Sequence, residues 1–227
     1  MADTIITVQG EHSAWYPAER ATVHAGVQTE GPERDEVFAR AVASADALRT
    51  SIEPLVDAQA GPITWWSADS VRVWSQRPWS NEGAVLPLVY YAALDVTAKF
   101  KDFTALSRWV ESAATLDGVT VGSIQWDLTD ATRTSVTAEV QSRAVKDAVQ
   151  KATVYAQSIG LGRVSAIALA DPGMLGDPSS GGGGFPAPAG AFRAMKADSM
   201  AGGGPELALK PEEIAVQAVV DARFVAS

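Results

Sequence analysis

The sequence predicts an α+β protein with mixed or antiparallel sheets and three main helices, one of them long. Three observations lead there. Val136, Val140, Ala144, Ala148, Ala152, Tyr155 and Ile159 recur three or four positions apart, which is one face of a helix. Ala21, Val23, Ala25 and Val27 alternate with Thr22, His24 and Gln28, which is a strand with one buried face. Glycine and proline punctuate the chain between such runs, as at Gly31-Pro32 and Gly61-Pro62.

Taken in order, Thr4 to Gly10 is expected to be a short strand and Glu11 to Pro17, with His12, Trp15 and Tyr16, a turn. Glu19 to Glu30 is the alternating strand just described, which places His24 on its polar side. Glu33 to Ser51 follows as the first helix. Glu33, Asp35 and Glu36 sit in its first turn, where carboxylates offset the positive end of the dipole. Val37, Ala41, Ala45 and Leu48 form its buried stripe, and Pro54 ends it.

Ile63 to Trp79 holds Trp65, Trp66, Trp74 and Trp79, four of the seven tryptophans, with Arg72 and Arg77 between them. Tryptophan on both faces of a strand implies burial on each side, in a core or against another subunit. The competing functional reading is an aromatic platform for a sugar or peptide. Ser80 to Gly83 is expected to be a hairpin loop. Leu86 to Ala98 reads as a long strand with Leu88, Tyr90, Ala92, Leu94 and Val96 on one face. Asp102 is the expected N-cap of a second helix whose stripe is Phe103, Leu106, Val110 and Ala113. Asp117-Gly118 then turns into a strand over Val119 to Asp127.

The long helix is expected over Ser135 to Ile159, roughly 37 Å at ~1.5 Å per residue. Its alanine-rich stripe lets it approach a sheet closely. Gly160 falls where a left-handed C-cap belongs, and Arg163 to Leu169 is a β-prone run. Residues 171–205 change character, with Gly181 to Gly184, Gly202 to Gly204 and five prolines. Such a segment buries too little apolar surface to offset its chain entropy, and a mobile insertion is expected. A closing strand over Glu212 to Val225 turns Ile214, Val216, Ala218, Val220, Ala222 and Phe224 inward. At 227 residues, the chain is long enough for one large domain or two interlocked small ones. Its expected body is residues 1–170 together with 206–227.

Composition narrows the chemistry. A net charge of −9, with 18 scattered Lys and Arg, gives phosphates nothing to meet, so nucleic acid is a poor candidate partner. There is no cysteine, which excludes disulfides, thiolate nucleophiles and cysteine-ligated metals. His12 and His24 do not form a metal-ligand spacing. No run approaches the ~20 apolar residues of a membrane helix. Read from Met1, the chain lacks a signal-peptide pattern and a cytoplasmic location is expected; a trimmed N-terminus would leave a periplasmic one open.

Catalytic motifs fare no better. Gly160-Leu161-Gly162 follows a helix and precedes a strand, the reverse of a dinucleotide-binding turn. The glycine run at Gly181 lacks the Lys-Ser/Thr of a phosphate loop, and no nucleophile elbow accompanies a usable histidine. Acidic pairs such as Asp127/Asp130 and Glu212/Glu213 fit solvation and capping. A hydrolase built on carboxylates assembled in space stays open as a minor reading. The expectation is a non-enzyme with no catalytic residue, metal or cofactor.

The order of elements, with its local runs, resembles the SIMPL-domain family of bacterial proteins, which includes periplasmic immunogenic and oxidative-stress defence proteins. The carriers are Ile5 to Glu11, Ala21 to Glu30, Ala144 to Ala152, Ile159 to Val164, and Lys210 to Val216. The resemblance implies an α+β fold and large ring-like or channel-like homo-oligomers. It supplies no catalytic motif. This chain departs from it in lacking an export signal and in carrying the Gly/Pro-rich insertion. The expected function is therefore a self-assembling protein with a stress-related or scaffolding role. The alternative is a binding module that holds an apolar or sugar-like ligand or a peptide against Trp65, Trp66, Trp74 and Trp79.

Overall fold

The computed structural model describes residues 4–79, 81, 85–175 and 209–227. The elements run β1 (Thr4–Pro17), β2 (Arg20–Gly31), α1 (Arg34–Ile52), β3 (Ile63–Ala68), β4 (Arg72–Gln76), β5 (Val89–Phe100), α2 (Phe103–Ala113), β6 (Val119–Asp127), α3 (Asp130–Ser158), β7 (Val164–Ala170) and β8 (Glu213–Ala226). The fold is α+β with three helices and antiparallel strand pairing. The chain divides into two compact units. One comprises Met1–Tyr16, Asp130–Gly204 and Ala215–Ser227, the other Pro17–Thr129 and Pro205–Ile214. They are called here the long-helix unit and the sheet unit.

The sheet unit is built on β5 and β2, paired antiparallel from Ala21 opposite Phe100 to Gly31 opposite Tyr90. β6 extends the sheet beyond β2, while β3 and β4 lie one after the other along the far side of β5. Alternation sends Ala21, Val23, Ala25 and Val27 of β2, and Leu94, Val96, Ala98 and Phe100 of β5, to one face. There they meet Leu48 and Ile52 of α1 and Leu106, Trp109 and Ala113 of α2. Phe100 and the Trp109 ring are 5.5 Å apart, and the Trp109 indole N–H donates to Ser51 Oγ at 3.1 Å. The expected stripe of α1 is in place, and Asp102 caps α2 by accepting the N–H groups of Thr104 and Ala105 at 2.9 and 3.0 Å.

The long-helix unit is a three-stranded sheet in the order β1-β8-β7, with α3 laid across it. Its interface is made of small residues. Ala144, Ala148, Ala152 and Ala156 pack on Ile6, Val8, Val220, Ala222 and Phe224. Gly10 takes the place where α3 comes nearest: a Cβ there would strike the Ala144 carbonyl oxygen and lie 2.7 Å from the Ala148 Cβ. Polar contacts pin the same crossing. Asp147 accepts the Glu11 N–H at 2.9 Å and pairs with Lys151 at 2.8 Å, while Lys151 Nζ donates to the Gln9 carbonyl at 3.0 Å. Gly160 ends the helix with φ +82°, as its expected role as a left-handed C-cap requires.

Several expectations are corrected. Glu11 to Pro17 is not a turn but the second half of β1, in which His12, Ala14 and Tyr16 stay partly buried while Trp15 faces out. The alternation continued there beneath residues that resemble loop residues. α3 begins at Asp130, earlier than expected, and its stripe steps by four to Ala156, leaving Tyr155 56% and Ile159 58% exposed. β5 starts at Val89 because Pro87 has no N–H to give a ladder. Ile63 to Trp79 holds two short strands, not one. Residues 176–208 of the Gly/Pro-rich stretch, and Ser80 and residues 82–84 around the proposed hairpin loop, lie outside the described residues.

Candidate functional site

β5 organises the aromatic residues of the sheet unit. Its pairing partners decide which tryptophan goes where: Trp65 lies opposite Lys99, Trp66 opposite Ala98, and Trp74 opposite Tyr91. Lys99 and Tyr91 share one face and Ala98 lies on the other, so the tryptophans separate. Trp66 turns toward the core that α1 and α2 cover. Trp65 and Trp74 stand on the opposite face, 46% and 43% exposed, where no helix of this unit packs among the described residues. Trp79 lies past the end of β4 and is 82% exposed.

The two outward rings have different neighbours. Lys99 Nζ sits 5.2 Å from the Trp65 ring centroid, a cation–π contact that covers one side of that indole. Trp74 stacks on Tyr91 at 5.5 Å with the planes 15° apart. Between them on the same face, Arg72 pairs with Asp95 at 2.6 Å, and His24 Nδ1 lies 3.2 Å from the Thr97 hydroxyl. Eight positions of β5 separate the partners of Trp65 and Trp74, roughly 26 Å at ~3.3 Å per residue. The structure therefore does not bring the four tryptophans together around one small ligand. It makes a long polar face with an aromatic group near each end.

The long-helix unit carries an open groove of about 690 Å³ between α3 and the β7–β8 strands, lined by Thr137, Gln141, Val145, Leu169, Ala218 and Val220 among others. Its lining is mostly aliphatic, with the side-chain amides of Gln141 and Gln217, the Thr137 hydroxyl and the Asp171 carboxylate. Among the described residues no three His, Asp or Glu side chains gather as a metal site. Shifted carboxylates are structural. Asp57 is held below its ordinary range by the N–H groups of Ala60 and Gln59 in its own loop. Asp147 is held low first by Lys151 and then by the Glu11 N–H, and Lys151 is raised in return by Asp147. No helix among the described residues is long and apolar enough to cross a membrane.

Sequence reasoning picked out the tryptophans but missed Tyr91 and Lys99, their partners on the next strand; pairing register, invisible in one sequence, joins them. It also missed the position of β7, whose run Val-Ser-Ala-Ile-Ala-Leu-Ala was read as a strand without its place at the sheet's end.

Two antiparallel sheets and three helices, with a long helix packed on alanines, define an α+β fold. The chain belongs to the SIMPL family, described as a protein of unknown function (DUF541), whose profile matches residues 6–224. No curated protein matches this chain.

Proposed function

We propose that this protein is a non-enzymatic subunit that assembles with copies of itself, in a ring- or channel-like homo-oligomer, and serves as a scaffold in a stress-related setting. One observation carries the assembly reading. Large apolar side chains are left exposed along one short stretch of the long-helix unit: Val154, Tyr155 and Ile159 at the end of α3, then Ile167 and Leu169 on β7. Scattered single hydrophobics need no explanation, but several together mark a surface that another protein covers. The stress-related role follows from the family resemblance. The test is the solution mass of the untagged protein by light scattering or native mass spectrometry. A single multiple of 23.8 kDa supports the proposal, and a monomer at micromolar concentration removes its basis.

A second reading is favoured by the Trp74–Tyr91 stack and by Trp65 on the helix-free face of the sheet unit. Stacked, half-exposed rings flanked by Arg72, Asp95 and Thr97 suit an extended sugar chain or peptide rather than a compact ligand. Titration of tryptophan fluorescence with a linear oligosaccharide series tests it. Quenching that deepens with chain length and disappears in Trp74→Ala supports this reading; a flat response across the series counts against it.

A further inference from the structure

β8 is longer than the strand that pairs with it. The last pair sets Ala170 opposite Asp221, yet β8 begins at Glu213. β7 stops for local reasons. Pro172 has no N–H for a ladder, Gly173 turns at φ +81°, and the Met174 N–H closes on the Asp171 carbonyl at 3.0 Å. Beside Ala215 to Val220 no strand among the described residues takes the place of β7.

The phase of this open edge follows from the far end of the same strand. Ser227 and Arg163 exchange both backbone bonds, at 3.0 and 3.1 Å, so Ser227 directs its N–H and its C=O toward β7. The irregularity between Ala166 and Ala168 adds its extra residue to β7, while β8 keeps an unbroken count from Ala226 to Asp221. Direction repeats at every second residue of a strand. Val219, Gln217 and Ala215 therefore turn N–H and C=O to the side that β7 leaves vacant. Such a row is what an incoming extended chain pairs with.

The groove of about 690 Å³ lies along this row. α3 forms one wall with Gln141 and Val145, and a strand laid on the edge sends alternate side chains against Val145, Leu169 and Ala218. Charge enters at one end. Asp171 is the single charged residue of the lining, is exposed, and its side chain has no hydrogen bond or ion pair among the described residues. The chain as a whole carries a net charge of −9, so a cationic partner is favoured at a distance as well as in contact.

We propose that the open edge of β8 is a peptide-addition site for another protein. The peptide is extended, pairs antiparallel with Ala215 to Val219, and is aliphatic at alternate positions. It takes the direction of β7, so its N-terminal end meets Asp171 and carries lysine or arginine there. This site goes beyond the assembly reading and does not rest on it.

The probe is the synthetic peptide Lys-Val-Thr-Val-Thr-Val-Thr, blocked at both ends and carrying a C-terminal dye, titrated into the full-length protein by fluorescence polarisation. Saturable binding is expected, with amide exchange followed by NMR slowing at Gln217 and Val219. Gln141→Trp fills the groove from the exposed side of α3 and should weaken binding about tenfold or more, with circular dichroism unchanged. Asp171→Lys should weaken it too, and should restore affinity for the peptide with glutamate in place of lysine. A peptide N-methylated on its edge-facing amides should not bind. A flat titration with the wild type overturns the proposal. So does binding that leaves Gln217 and Val219 unchanged and survives Gln141→Trp, because the peptide then sits elsewhere. Amides of Gln217 and Val219 that are protected without peptide, and released by Gln141→Trp, also overturn it. That result gives the edge to this chain's own residues or, where protection rises with concentration, to a second copy.

Discussion

The two units fill their cores in opposite ways. In the sheet unit, Phe100, Leu48, Ile52, Ile63 and Leu106 are fully buried, and Trp109 is close to it. Burying such a side chain contributes about 1.5–3 kcal/mol each. In the long-helix unit the buried helix stripe is alanine from Ala144 to Ala156, and each methyl contributes only ~0.8 kcal/mol. The alanines and Gly10 bring helix and strand close together, so the unit gains contact by proximity and by the Asp147–Lys151 pins instead of by bulk. It also leaves Tyr155, Ile159, Ile167 and Leu169 exposed. Both units keep exposed apolar side chains, the sheet unit at Trp65, Trp74 and Trp79; what separates them is how each core is filled.

If that contrast is right, the sheet unit is broken by truncation and the long-helix unit by enlargement. The largest expected effect is Phe100→Ala, which opens a cavity beside Trp109 and should cost about 3–5 kcal/mol in a urea titration. Gly10→Val should come next. It forces a side chain against Ala144 and Ala148 and should cost about 1–3 kcal/mol, with the lost protection in hydrogen exchange concentrated in β1 and α3. A stability equal to the wild type would mean the close approach at Gly10 is not a constraint. Asp102→Ala removes two capping bonds at the start of α2 and should cost ~1 kcal/mol, read as a shift of the urea midpoint.

The smallest effect is a pH dependence. The carboxyl of Asp147 is held below its ordinary value, chiefly by Lys151. A depressed folded pKa means stability that is present above the unfolded value of about 3.9 and is lost as pH falls through the folded one. Asp147→Asn should remove that contribution at neutral pH and leave stability in acid little changed, so that the acid limb flattens. An unchanged acid limb would show that the pin is too exposed to matter.

Much of this fold was legible because periodicity reports burial within one element. The stripe of α3 from Val136 to Ala152, the cap at Asp102 and the positive-φ glycine at Gly160 were all readable locally. Boundaries were less so: Tyr155 and Ile159 fit the helix period as well as Ala156 does, and only the packing partner decides which of them is buried. Glu11 to Tyr16 looked like a loop because Trp, Tyr and His side chains are compatible with one, although the strand alternation ran through them. The aromatic face was half legible. Trp65 and Trp74 could be named, but their separation along β5 and their pairing with Lys99 and Tyr91 follow from strand register, which is a property of two distant segments. The exposed edge of β7 was hidden for the same reason: a sequence gives a strand's faces, while topology gives its place in the sheet.

The most direct test of assembly through the long-helix unit is hydrogen exchange measured at two protein concentrations, one below and one above the point at which the mass rises. Protection of Val164 to Ala170 should increase with concentration, while that of Val89 to Phe100 in β5 should stay the same. Equal exchange in β7 at both concentrations, with assembly confirmed by mass, would contradict the idea that copies meet at the exposed apolar side chains of the long-helix unit.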